Sequence, residues 1–513
     1  MKKLLVNFVL ICVSWSAVSQ ELPDIEFSTL GSPSKGDIAL ILQSSNQLGD
    51  IGKEINSATN NRLSETLTSM QLDDETNTDF VLFGMTPFNR IYVTVLGSEP
   101  EPEKVYWQNL GGAQMAMLQA HSPEDTVAVA FDINVTSSDA LAHFAFGAAL
   151  RGYQFNKYKN TSATTPTPKL VLHTANTDSE GIYTNDLKYV AQGVYLARNM
   201  ASEPGKSVYP QAFVDIVEKA FKGIDDVDID VLKVRDMRNN NMGALMGVGQ
   251  GSIHDPRMLV IEYNGADDET APIAIVGKGI TFDTGGISLK PNSGMWGMKS
   301  DLSGAAAVAG TVLAVAQRGE KINLVGFMPL AENMPAEDAI RPGDVLNTMQ
   351  GTTIEIISTD AEGRLILADA VTYAQQKYKP KMLVNIATLT GSASRALSDE
   401  YAALITRDWD LAERMMDLGN KSGEHVWPLP LHPNHFKQIK SDIADIKNSG
   451  AGNPGASIGA AVIGTFVDES LPWVHLDIAG VDYLNESTDT TPKGAAGWGV
   501  RFMDEIIRSE AQQ

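Results

Sequence analysis

Two glycine-rich segments carry more charge than an apolar core tolerates, and that limits where they can sit. Residues 275–307 read IVGKGITFDTGGISLKPNSGMWGMKSDLSGAAA, and residues 358–367 read STDAEGRLIL. Between them they hold four carboxylates (Asp283, Asp301, Asp360, Glu362), three lysines, among them Lys278 and Lys290, and one arginine (Arg364). An isolated buried ion costs many kcal/mol, so these groups must meet at an edge of the core and compensate one another. Four acids drawn together also call for a cation. Two divalent metals are the simplest one.

The surrounding pattern says what that edge belongs to. Short apolar runs alternate with helical spacing: strands are predicted at Ile273–Phe282, Ile322–Met328, Thr352–Ile357, Lys381–Ala387 and Trp473–Ile478. Helices are predicted at Leu302–Arg318 and Gly363–Tyr378. Such alternation predicts an α/β/α layer with a mixed, largely parallel sheet covered on both faces. Ligand sites in these folds lie at the carboxyl ends of strands. Asp283 and Asp360 each follow a predicted strand, so both charged segments can reach one rim.

A smaller N-terminal α/β domain precedes this one. Strands are predicted at Asp37–Gln43, Arg90–Leu96 and Thr126–Phe131, with a helix over Ser137–Asn156. The stretch SATTPTPK that follows marks a domain edge. The expected division is a signal peptide at 1–19, an N-terminal assembly domain at 20–175, a linker helix region at 176–205 and the site-bearing domain at 206–513. The linker's amphipathic run is Asp186–Ala201.

The first twenty residues, MKKLLVNFVLICVSWSAVSQ, combine a charged start, a short apolar run and small residues at Ala17–Ser19. This is read as an export signal cleaved before Gln20, placing the mature protein in a periplasm or outside the cell, with no membrane attachment after cleavage. Cys12, the one cysteine, falls inside it, so the mature chain has neither a disulfide nor a thiol nucleophile. Net charge is −23, which repels phosphate backbones; no nucleic-acid partner is expected.

Within the charged segments, Asp360, Glu362 and Arg364 are two apart and would share one side of an extended chain. Asp283 precedes Gly285-Gly286, a turn that lets backbone approach closely. Asp301 stands before a helix of small residues and so could equally be its cap. Lys278 could be an ordinary ion-pair partner. His432 and His435 read as surface loop residues and His475 as a satisfied buried histidine. An oxygen-rich set suits zinc, manganese or magnesium, and two such ions can activate a shared water.

The chain resembles the leucyl (cytosol) aminopeptidase family of dinuclear metallo-exopeptidases. Its diagnostic Asn-Thr-Asp-Ala-Glu-Gly-Arg-Leu pattern stands here as Ser358 to Leu365. Further matches are VGKGITFDTGGISLK (276–290), MKSDLSGAA (298–306), RPGDV (341–345), NIATLTG (385–391), HLDIAG (475–480) and PKGAAGWGVR (492–501). The resemblance runs from about residue 140 to the end. It implies hydrolysis of N-terminal, apolar residues from peptides by a water bridging two divalent metals, zinc or manganese, in a homohexamer. By the same resemblance, Asp283 and Glu362 bridge the metals, Lys278 and Asp301 complete one site, and Asp360 completes the other. Lys290 polarises the scissile carbonyl and Arg364 holds a bicarbonate. Met298, Thr388, Leu389, Thr390 and Gly391 line the substrate wall. Two departures are Ser358, where the family has Asn, and Asn453–Gly459, which differs from the expected glycine- and alanine-rich segment. Phosphate-ester hydrolysis and a scaffold role are the competing readings.

Overall fold

A computed structural model describes residues 21–512 except Leu30, Ser32, Asn134, Thr136 and the segments 73–76, 98–102, 122–124, 161–165, 175–177, 267–269 and 451–454. The expected export signal therefore lies outside the described residues, as do the start of the SATTPTPK stretch and Asn453-Pro454. No helix among the described residues is long and apolar enough to cross a membrane.

The N-terminal domain is built on β1 (Ile25–Ser28), β2 (Gly36–Leu42), β3 (Thr78–Phe83), β4 (Phe88–Val95), β5 (Thr126–Asp132) and β6 (Lys169–His173). They form one sheet in the order β1-β6-β5-β2-β4-β3, parallel except at the β3–β4 edge. The predicted helix over Ser137–Asn156 is shorter, Ala140–Arg151.

The larger domain carries, in chain order, β7 (Val227–Leu232), β8 (Arg257–Asn264), β9 (Ile273–Gly277), β10 (Gly279–Asp283), β11 (Asn323–Asn333), β12 (Val345–Asn347), β13 (Thr353–Glu355), β14 (Met382–Ala387), β15 (Ala402–Ile405), β16 (Val426–Pro428), β17 (Ile446–Lys447) and β18 (Trp473–Asp477). Nine of them make the main sheet, in the order β16-β15-β18-β14-β9-β11-β8-β7 with β10 beside β11. The centre, β18-β14-β9-β11, is parallel, and antiparallel pairs flank it. The burial follows. Every residue of β9, β14 and β18 is buried, because helices cover both faces. Edge strand β7 alternates half-buried and exposed residues over VDIDV.

One face of the main sheet packs under the helix Ser303–Arg318, whose small residues allow close contact with the linker helix Lys188–Ser202. A Cβ on Gly193 would lie 2.3 Å from the Gly310 carbonyl oxygen, and one on Gly310 would lie 2.4 Å from that of Gly193. Only glycine permits this approach. A single apolar cluster runs from that face into the N-terminal domain, joining Phe144 and Leu150 to Val194 and Val308. The opposite face packs under Gly363–Tyr378. Arg198 ties the two domains: fully buried, it donates to the carbonyls of Ala496 (2.9 Å) and Leu150 (2.5 Å).

The predicted single strand over Ile273–Phe282 is two strands broken at Lys278. The Lys278 N–H still donates to Ile386 on β14 (2.9 Å), but its carbonyl turns to accept from Ala305 (2.8 Å), and β10 continues along β11 alone.

His475 lies on β18, fully buried; its Nδ1 meets the Asn385 amide at 2.7 Å, while Nε2 has no partner. Burial, aided by the charge of Arg364, pushes its pKa down to about 3. The unfolded chain therefore takes up a proton here below about pH 6.5 while the folded protein does not. The stability this group contributes is complete above that value and is lost as pH falls towards 3, by roughly 1.4 kcal/mol per unit. Denaturant unfolding between pH 7 and 4 is expected to show a shallower pH slope in His475→Gln than in the wild type; equal slopes would remove His475 from the acid response.

Candidate active site

The break at Lys278 opens the centre of the sheet's carboxyl rim. Lys278 Nζ lies 2.8 Å from Asp301 Oδ1 and 2.8 Å from Glu362 Oε1, and donates to the Thr388 carbonyl at 2.8 Å. Gly363 makes room for it, since a Cβ there would lie 2.7 Å from Lys278 Cε. Lys290 Nζ lies 2.8 Å from Asp283 Oδ2 and 2.5 Å from Asp360 Oδ1. One carboxylate oxygen from each of Asp283, Asp301 and Glu362 falls within 4.8 Å of the others, and all three residues are buried.

Each acid is placed by a distinct local device. Asp283 ends β10, opposite Asn333 at the end of β11. Its Oδ1 accepts from the Asn333 amide (2.7 Å) and the Gly285 N–H (2.8 Å). Gly285 (φ 87°) and Gly286 (φ 64°) turn the chain under it, as expected. Asp301 is not the cap of Ser303–Arg318. It closes a short 3-10 turn, Met295–Ser300, and its side chain turns back to Lys278 and to the Thr388 hydroxyl (2.6 Å). Asp360, Glu362 and Arg364 do not alternate along an extended strand either. Asp360 lies in a turn, and Glu362 is the helical residue immediately before Gly363–Tyr378. The three converge through a turn-to-helix corner. Ser358, in place of the family's Asn, helps hold that corner by accepting the Asp360 N–H at 3.2 Å.

Burial first, then the charge of Glu362, pushes the Asp283 carboxyl up to about 6 despite both lysines. Burial likewise drives Asp301 well above, and Asp360 above, the usual carboxylate range. Burial acts the same way on Glu362, but Lys278 and Lys290 outweigh it and hold Glu362 below its ordinary value. On both lysines burial opposes the charge, and the surrounding carboxylates outweigh it and raise them. The site is therefore short of positive charge even with two lysines inside it. Asp301 Oδ2, buried and with no hydrogen-bond partner, is one oxygen left over. Oxygen donors converging with excess negative charge fit divalent cations.

The expected substrate wall borders this cluster. Met298 sits on the turn that delivers Asp301. Thr388 contacts both Lys278 and Asp301, and Leu389 and Thr390 are held through their N–H groups by Asp477 Oδ1 (3.1 and 3.2 Å). Gly391 begins the next helix. Arg364 is buried; its Nη1 donates to the Asn448 carbonyl (2.9 Å) and its Nε has no partner. Asn333, Asn448 and Asp477 were missed in the sequence. Asn333 had one available signal, its place at the end of an apolar strand next to that of Asp283. His432 caps the surface helix Pro433–Gln438, as expected of an exposed residue, whereas His435 lies within its first turn rather than in a loop, its Nδ1 accepting the His432 N–H (3.1 Å).

The model of the cytosol aminopeptidase family catalytic domain matches residues 195–503, and that of the family's N-terminal domain matches 39–162. The chain belongs to the cytosol aminopeptidase family. It is 40% identical over 428 residues to a probable cytosol aminopeptidase of Rickettsia bellii (82% of this chain, 84% of that one). It is 41% identical over 410 residues to one of Brucella ovis (79% and 82%). Among solved structures, a mutant of tomato leucine aminopeptidase superposes with TM-score 0.82 at 27% identity, covering 95% of this chain and 97% of that one. The bottromycin maturation enzyme BotP in complex with Mn gives 0.79 at 27% identity (93% and 99%).

Proposed function

We propose that this enzyme removes apolar N-terminal residues from peptides using two divalent ions, zinc or manganese, held by Lys278, Asp283, Asp301, Asp360 and Glu362. The observation that carries this is the meeting of Asp283, Asp301 and Glu362 within 4.8 Å, in surroundings still short of positive charge. When bound, the ions supply Lewis-acid polarisation of a water and of the scissile carbonyl. Asp283, paired with Lys290, and Glu362, paired with Lys278, would be the acids shared by the two ions. Lys278 binds metal only as the neutral amine, so its proton must leave as a cation takes over its partners.

The remaining steps belong to the chain. Lys290, at the less buried edge of the cluster, donates a hydrogen bond to the oxyanion that develops on the carbonyl. Arg364, with a free buried Nε, would hold a bicarbonate, which when bound would supply a proton-accepting oxygen beside the cluster. The Thr388–Gly391 segment and Met298 face the first side chain of the peptide.

Chelation is expected to abolish hydrolysis of an amino-acid p-nitroanilide, with activity restored by zinc or manganese and no turnover of a phosphomonoester in either state. Full activity in metal-stripped protein would refute the proposal. We also infer a homohexamer that is exported after cleavage before Gln20. Sedimentation at the mass of six chains and an N-terminus near Gln20 are expected; a monomer beginning at Met1 would contradict both.

A further inference from the structure

A second cavity, of about 380 Å³, opens between residues 151–159 of the N-terminal domain, the turn at 295–300 and the segment 483–495. Its charged lining is Arg151, Lys159, Lys299 and Lys493, and no carboxylate lines it. That is the reverse of the chain as a whole, in which 63 acids outnumber 40 bases. The charged residues of a wall drawn at random from this chain would be mostly acidic.

Among the described residues none of the four makes an ion pair, although ion pairs are common elsewhere in the structure. Lys299 Nζ donates to the Ser202 carbonyl at 3.0 Å. Arg151 Nη1 donates to Gln119 Oε1 at a long 3.3 Å, and its Nε is buried without a partner. The charge of Asp489 reaches Arg151 without an ion pair between them, and burial still pulls Arg151 below the ordinary arginine value. Buried donors without acceptors carry the full cost of lost hydration unless something supplies oxygen. The size suits a small ligand.

We propose that this cavity is a binding site for a small oxyanion, a phosphate or a carboxylate, separate from the acid cluster. Arginine presents a fork suited to either group, and lysines add point charge. The site would also bear on the neighbouring chemistry. Lys299 lies on the turn that delivers Asp301, and Ser300 beside it donates to the buried Asp482 at 2.8 Å. An anion seated against Lys299 would fix that turn from outside the active site.

Inorganic phosphate is the first probe, measured by equilibrium dialysis against the metal-loaded full chain. One saturable equivalent is expected. The double variant K159Q/K493Q changes two exposed residues. It is expected to bind phosphate about tenfold or more weakly, at unchanged melting temperature and with unchanged hydrolysis of a neutral p-nitroanilide in phosphate-free buffer. Arg151→Gln should weaken binding as well. Equal phosphate binding in wild type and K159Q/K493Q, or no saturable binding at all, would overturn the site. Peptide acids and the matching amides then identify the source. A fall in the acid-to-amide ratio of kcat/KM in K159Q/K493Q assigns the site to the carboxyl group of a peptide. An unchanged ratio with lost phosphate binding assigns it to a free oxyanion.

Discussion

Glu362→Gln is expected to lower kcat/KM by about a thousandfold or more, because it removes one charge from the centre of the cluster while keeping its shape. Glu362 is buried, lies 2.8 Å from Lys278 Nζ and is one of the three acids whose oxygens converge. A neutral amide offers one oxygen where the carboxylate offers two. It also leaves Lys278 with Asp301 as its one remaining acidic partner. In the metal-free protein, breaking this buried ion pair costs about 3–5 kcal/mol, so the melting temperature of that form should fall too. Metal content separates the two effects: protein that is folded at the assay temperature, depleted of metal and inactive supports the assignment. A variant with normal kcat/KM and full metal content would remove Glu362 from the metal site.

Lys290→Ala is expected to behave differently. Lys290 bridges Asp283 and Asp360 from the less buried side of the cluster, and removing it takes away positive charge rather than an oxygen ligand. Metal content should therefore be retained. If its ammonium group meets the oxyanion, the interaction exists only as charge develops, so the loss falls on kcat, by about 10²–10³-fold, with KM little changed. Lys290→Arg keeps the charge but spreads it over a planar fork, and is expected to recover part of the rate at most. A Lys290→Ala enzyme with unchanged kcat would show that the oxyanion is stabilised elsewhere.

The charged residues were legible because their cost makes them conspicuous. Strand-end acids beside glycine turns mark a rim, and the central strands, buried on both faces, read as continuous apolar runs. The local paths between them were not legible. Apolar residues resume beyond Gly277 and Gly279 on either side of Lys278, and nothing in their periodicity shows that β9 stops there and β10 pairs with β11 alone. The helix predicted over Gly363–Tyr378 is present, and it takes Arg364 out of the extended alternation with Asp360 and Glu362, because its apolar face, Leu365 to Tyr373, is buried against the sheet. Asp301 matched a cap in sequence, but its side chain is drawn instead to the Lys278 ammonium, a stronger partner than a backbone N–H. Asn448 and Asp477 act from distant segments on one loop each, a relation that only the assembled sheet reveals.

The interruption at Lys278 has a further consequence for when the enzyme can act. Its partners come from residues 301, 362 and 388, and each is delivered by a different crossover of the sheet. A polypeptide that has emerged only as far as β11 holds Lys278 and Asp301 but lacks Glu362 and the loop after β14. The cluster therefore cannot form in a chain that lacks any one of these crossovers, and loss of a single segment would disarm the site while leaving the others intact.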